Sequence, residues 1–151
     1  MALPHPSFSS ALCYRDPKAA LKWLEAAFGF EAVMVITDAE GNLAHSEMRF
    51  GNGLVMVGTE WTADHKSPKS ISGHNTQTVH VHVEEDIDGH CARAKAAGAE
   101  IIMAPETQFY GDRTYRARDP EGHIWTFGQT VKTVSREEAE KASGLKIDGW
   151  I

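Results

Sequence analysis

The sequence predicts an α+β protein made of two tandem βαβββ modules, whose strands form a curved mixed sheet around a cavity, with the helices on the outer face. Two observations predict this class. The order strand, helix, strand, strand, strand occurs twice along the 151 residues. The two halves also align at an offset of 69 positions without a gap, so that Gly29-Phe30-Glu31 falls on Gly98-Ala99-Glu100.

Module one is predicted over about residues 8–60. A strand at 8–15 leads to Asp16-Pro17, an N-cap followed by a proline at the first helical position. The helix then shows apolar residues at helical spacing and ends at a C-cap glycine; these residues are Leu21, Leu24, Phe28 and Gly29. Three strands follow, separated by glycine-containing turns, at 31–37, 43–50 and 54–59.

Module two is predicted over about residues 77–130, after a polar linker at 61–76 that contains proline and glycine. Its first strand, 77–84, alternates strictly between valine and polar residues. A helix at 86–97 and three strands, at 100–104, 113–118 and 123–128, complete the second copy. Ser135 and Glu138 form a capping box, which predicts a C-terminal helical arm over 135–151. The chain, 1–151, is therefore expected to be a single domain with this arm.

Composition excludes several classes of function. The net charge is −6 and the basic residues form no block, which argues against a nucleic-acid partner. No apolar run approaches the roughly 20 residues that a membrane helix needs, so no membrane partner is expected. The N-terminal segment lacks the pattern of a signal peptide, and the two cysteines, Cys13 and Cys91, form no CxxC pair. A cytoplasmic location is the expectation.

Three motifs carry a resemblance to a known family. The stretch at 110–127, YGDRTYRARDPEGHIWTF, resembles the final hairpin of the vicinal-oxygen-chelate superfamily, which includes glyoxalases, bleomycin resistance proteins and dioxygenases. LEAAFGF at 24–30 and AKAAGAE at 94–100 resemble its two helix ends. The likeness covers about residues 8–130 and is greatest to the PhnB-like and bleomycin-resistance-like branches. It implies a homodimer, and either metal-dependent catalysis or metal-free binding of small molecules.

The resemblance also implies where a metal would bind. Metal-dependent members place His, Gln or Glu at four cavity positions, which fall here on Ser9, Val57, Thr78 and Thr126. The internal offset agrees, because Ser9 plus 69 is Thr78 and Val57 plus 69 is Thr126. None of the four is a good ligand for a divalent metal. We therefore expect neither the usual metal centre nor a cofactor.

Strand parity predicts a polar wall instead. Thr78, His80 and His82 leave their strand on one face, and the intervening valines leave on the other. His45 and Glu47 share a face of the third strand, and Arg116 is the repeat partner of Glu47. The predicted ligand-binding residues are Ser9, His45, Glu47, Thr78, His80, His82, Arg116 and Thr126. Glu47 and Arg116 would form a salt bridge or bind an anionic or polar ligand; for the two histidines, plain solvent exposure is the alternative.

Two functional hypotheses follow. In the first, the chain binds a small polar or aromatic ligand in the intermodule cavity without a metal. In the second, His80 and His82, with His45 or Glu47, bind a divalent metal for a lyase, isomerase or dioxygenase reaction of the glyoxalase type. Whether the protein is an enzyme stays open, as does a dimeric scaffold without a small ligand. Open sheet edges and the arm ending in Trp150-Ile151 favour a homodimer.

Overall fold

The computed structural model describes residues 4–151 and contains two four-stranded sheets and three α-helices. Module one contains β1 (Ser10–Tyr14), α1 (Pro17–Phe28), β2 (Glu31–Thr37), β3 (Leu43–Phe50) and β4 (Gly53–Thr59). Module two contains β5 (Val79–His82), α2 (Ile87–Ala96), β6 (Glu100–Thr107), β7 (Asp112–Arg118) and β8 (Ile124–Thr130). A short 3₁₀ helix, Pro68–Ser70, interrupts the predicted linker, and α3 (Arg136–Ser143) begins the arm.

Both sheets have the same topology. The strand order is β1-β4-β3-β2 in one and β5-β8-β7-β6 in the other. In each sheet the first strand runs parallel to the fourth, and the other neighbours are antiparallel. The predicted fold class, two tandem βαβββ modules of the α+β type, is confirmed. Within residues 4–151, none of the helices has the length and apolar character needed to cross a bilayer.

Local signals explain the first helix. The Asp16 side chain accepts a hydrogen bond from the backbone N–H of Ala19, and Pro17 occupies the first turn, where its missing N–H costs nothing. Gly29 ends the helix in the left-handed region, at φ 76°, which a glycine adopts without the steric penalty that a Cβ would add. The predicted apolar stripe, Leu21, Leu24 and Phe28, is buried.

The internal repeat contains a one-residue shift that the gapless alignment misses. Glu47 pairs with Met56 in module one, and Arg116 pairs with Thr126 in module two. Glu47 and Arg116 are 69 positions apart, whereas Met56 and Thr126 are 70 apart. The reason is that five residues separate the paired Arg118 and Ile124, whereas four separate their equivalents Arg49 and Leu54. Since side chains alternate along a strand, this shift changes which β4 residue is equivalent to Thr126: it is Met56 and not Val57.

One hydrophobic core serves both modules. Phe28 and Phe30, at the end of α1, contact the rings of Trp125 and Phe127 on β8, with centroid separations of 4.6–6.4 Å. Within residues 4–151, the hydrogen bonds that join the modules come from the two helices or from the Asp119–His123 turn. The two helices and the Asp119–His123 turn therefore form the contact between the modules.

The two helices meet at the junction of the modules. α1 contacts α2, and Phe28 at the end of α1 packs on Trp125 and Phe127 of β8. The helices and the aromatic residues of β8 share one core because this arrangement buries their apolar surface. Each sheet has a second face, which we call its open face, that neither α1 nor α2 covers.

Candidate functional site

A groove runs between the two modules along the free edge of β5. Its volume is about 1050 Å³. Segments of both modules line it, namely the start of β1, the β3–β4 turn and the whole of β5. We call it the intermodule groove. Its apolar lining includes Phe8, Phe30, Met48, Phe50, Val79, Val81 and Val83, and its polar lining includes Ser9, Gln77, His80, His82, Glu84 and Glu85.

His90 is a lining residue of this groove that the sequence analysis did not select. Its Nε2 donates to the backbone carbonyl of Phe28 at 2.9 Å, so Nδ1 accepts from the Tyr115 hydroxyl at 2.6 Å. Burial lowers the pKa of His90, the bond to Phe28 opposes that effect, and the Arg93 charge adds to it. The lowered pKa favours the neutral imidazole, and the carbonyl of Phe28 favours the tautomer with its proton on Nε2. Its position on α2 beside buried Cys91 was the available sequence signal.

Three predicted residues form a row across the open face of module two. Arg116 on β7 lies opposite Thr126 on β8, and Thr126 lies opposite His80 on β5. The Arg116 Nε donates to the Thr126 hydroxyl oxygen at 3.1 Å. We call Arg116, Thr126 and His80 the cross-strand row. Its His80 end also lines the intermodule groove.

The equivalent row in module one has different chemistry. It consists of Glu47, Met56 and Ala11. Glu47 is only 7% exposed and lies 3.4 Å from the His45 Nε2. Glu47 lies on the open face of module one and Arg116 on that of module two, and residues 4–151 contain no ion pair between them.

The structure corrects one of the four metal positions inferred from the resemblance. Val57 is fully buried in the core beneath α1, and the open-face residue equivalent to Thr126 is Met56. The one-residue shift in β8 explains the error. Ser9 and Thr78 are exposed and directly precede β1 and β5. Serine, threonine and methionine are poor ligands for a divalent metal, so these positions do not fit the metal centre that the resemblance implies.

The alternative metal site needs ligands from both open faces. His80 and His82 lie on module two, whereas His45 and Glu47 lie on module one. Within residues 4–151 the structure brings together no group of three or more His, Cys, Asp or Glu side chains able to hold a metal ion. One chain therefore does not assemble the four predicted alternative ligands, and we derive no step through a metal.

Comparison with known proteins agrees with this fold. Residues 4–127 match the family model of the glyoxalase/bleomycin resistance protein/dioxygenase superfamily. An uncharacterized protein of Mycobacterium bovis and one of Mycobacterium tuberculosis are each 30% identical over 148 residues. Those alignments cover 95% of this chain and 96% and 86% of the relatives.

Solved structures show the same architecture. TioX from Micromonospora is 34% identical, with a TM-score of 0.68 over 85% of this chain and 99% of that chain. TnmS3 from Streptomyces is 16% identical, with a TM-score of 0.62 over 86% of this chain and 98% of that chain. The second likeness concerns the fold alone. The family match spans both modules, and the chain therefore belongs to the glyoxalase/bleomycin resistance protein/dioxygenase superfamily.

Proposed function

We propose that this protein binds a small aromatic or polar molecule in the intermodule groove and does not transform it. The observation that carries the proposal is the groove itself, about 1050 Å³, with apolar walls and a few polar groups at β5. Small-molecule sites are typically concave, mostly apolar and about 300–1,000 Å³ in volume. The cross-strand row contains a single metal ligand, His80, and within residues 4–151 no group of three or more ligands comes together, which favours binding over metal-assisted catalysis.

The lining favours a flat, largely apolar ligand. Phe30 and Phe50 lie 5.4 Å apart between ring centroids, and Phe50 meets His90 edge-on at 6.0 Å. Burying about 150 Å² of a ligand's ring surface would stabilise the complex by roughly 4 kcal/mol before the costs of association. That magnitude is sufficient for reversible binding of a metabolite or drug.

Among proteins of the same fold, TnmS3 is described as an antibiotic-binding protein. At 16% identity this likeness supports only the statement that the fold accommodates such a role. TnmS3 is thus a precedent for ligand binding by this fold, whereas the groove supports binding by this chain.

Binding and its location are tested together. Saturation-transfer NMR with indole and naphthol as probes should detect binding to the wild-type protein. Val81→Trp narrows the groove and should abolish probe binding. Val131→Trp, at an exposed site outside the groove, should leave probe binding unchanged. If Val81→Trp loses stability, Gln77→Trp narrows the groove from an exposed position. Equal binding by the wild-type protein and both groove variants would contradict the proposal.

Metal dependence needs its own measurement. Treatment with a chelator should leave probe binding unchanged, and mass spectrometry should recover the ligand unmodified. Elemental analysis of protein purified without a histidine tag tests the alternative enzymatic reading. A stoichiometric transition metal that is lost in His80→Ala and His82→Ala variants would favour that reading instead.

We also propose that two copies of the chain associate. β2 is an edge strand, and its four consecutive apolar side chains, Val33, Met34, Val35 and Ile36, are 39–50% exposed. An edge strand with exposed apolar side chains and unpaired backbone groups favours contact with another chain. The corresponding edge strand of module two, β6, instead carries Pro105 and Glu106, which protect an edge.

A further inference from the structure

We infer that the cross-strand row binds the carboxylate of the ligand held in the intermodule groove, so that the ligand class is an aromatic or aliphatic carboxylic acid. The inference rests on the proposed function. Arg116 and Thr126 would hold the carboxylate. His80, between this pair and the free edge of β5, joins the anion site to the groove.

The Arg116 guanidinium is fixed but not neutralised. Its Nε is used in the bond to Thr126, while its two terminal nitrogens have no hydrogen-bond or carboxylate partner within residues 4–151. The other arginines of module two are engaged: Arg113 pairs with Asp88, Arg118 pairs with Glu100, and Arg93 donates to two backbone carbonyls. Terminal guanidinium nitrogens present a planar fork that matches a carboxylate.

Thr126 supplies a second donor. Because its hydroxyl oxygen accepts from Arg116, its own O–H proton is free to donate to a ligand. Thr126 is only 8% exposed, so a hydrogen bond made there is shielded from water more than one at the protein surface. The pair therefore offers N–H and O–H donors to one anion.

Gly128 shapes the floor beside this pair. The His80 Nε2 lies 3.2 Å from the point that a Cβ on residue 128 would occupy, and the Thr114 methyl carbon lies 3.3 Å from it. The missing side chain lets the imidazole lie over β8, next to the Arg116–Thr126 pair. Two carboxylates are near in register on this face, and both lie outside the row: Glu106, opposite Thr114, is exposed, and Glu100, opposite Arg118, is paired with that arginine.

Module one provides an internal comparison. There the equivalent row contains the Glu47 carboxylate, the Met56 thioether and the Ala11 methyl group. This set offers no cation and no hydroxyl donor, and it would repel an anion. The two sheets share one topology, but only that of module two carries an anion-binding row. Anion binding would therefore come from these particular side chains and not from the fold.

Benzoate and benzamide test the inference, because they have nearly the same shape and differ in charge. In an NMR titration, benzoate should bind the wild-type protein at least about tenfold more tightly than benzamide, as expected for a charge-assisted bidentate pair. Arg116→Gln should remove that preference while benzamide binding persists. Arg116→Lys should recover only part of it, because lysine lacks the planar fork.

The matched control is Arg113→Gln, which removes the same charge from the same strand but on its helix-covered side. This control should keep the preference for benzoate. Thr126→Val, which removes the hydroxyl donor of the proposed site, should reduce that preference. If the wild-type protein binds benzoate and benzamide with equal affinity, and Val81→Trp binds neither, the anion site is overturned while the groove proposal stands. A preference that survives Arg116→Gln, or binding of neither probe at millimolar concentration, would also overturn it.

Discussion

The Tyr14 hydroxyl donates to the Asp119 carboxylate at 2.6 Å and so joins the last residue of β1 to the turn between β7 and β8. Asp119 also accepts from the Trp125 indole at 3.1 Å and from the backbone N–H groups of Glu121 and His123. Four donors thus converge on a carboxylate that is 4% exposed. Of these four bonds, the one from Tyr14 crosses between the modules, and the other three hold the carboxylate in place within module two.

Removing the Asp119 charge should destabilise the protein. In Asp119→Asn, one carboxylate oxygen becomes an amide donor facing other donors, and we expect a loss of about 2–3 kcal/mol in the free energy of unfolding. Tyr14→Phe removes a single hydrogen bond and should cost about 1–2 kcal/mol. Urea denaturation measures both. Equal stability of Asp119→Asn and the wild-type protein would show that the contact does not stabilise the module interface.

The state of His90 should make stability depend on pH. Burial lowers the pKa of His90, so the unfolded chain takes up a proton at a higher pH than the native state does. The free energy of unfolding should therefore be fully retained above the ordinary histidine pKa of about 6.5, and should decrease as the pH falls below it. The urea midpoint at about pH 5.5 should be lower than that at about pH 7.5.

Two variants isolate the contribution of His90. His90→Gln removes the titrating group, so the difference between the two pH values should become smaller. His74→Gln, an exposed histidine in the linker, should leave the difference unchanged. An unaltered pH dependence in His90→Gln would assign the effect to another group.

Local signals in the sequence predicted the elements well, because each is encoded within a few residues. Asp16, Pro17 and Gly29 mark the ends of α1, and the alternation around His80 and His82 marks β5. The faces of these elements also followed from parity. Thr126 and His80 lie side by side as expected.

Two features could not be predicted from local patterns. The shift that buries Val57 depends on the length of the Asp119–His123 turn relative to the β3–β4 turn, and register is set by pairing. The packing of Phe28 on Trp125 depends on which apolar faces meet across the chain. Parity identifies such faces as buried but does not select their partners.

Charging the edge strand β2 should prevent association. Val33→Lys places an ammonium group among the exposed apolar side chains, and we expect sedimentation velocity to show a shift from dimer to monomer. Ile102→Lys is the matched control, because Ile102 occupies the position equivalent to Val33 on β6 and is 40% exposed. Equal sedimentation of the Val33→Lys variant and the wild-type protein would exclude β2 as an interface.

Deleting residues 135–151 should weaken the dimer. In one chain the arm folds back through the Trp150 indole, which donates to the Val134 carbonyl, while Leu145 is 59% and Trp150 is 41% exposed. Such apolar exposure at the end of a chain favours contact with a second copy. Because α3 buries Ala139 against its own chain, Leu145→Ser supplies a milder variant that keeps the helix. Sedimentation of both variants across a range of concentrations measures the effect, and unchanged dissociation of the truncated protein would refute a role for the arm.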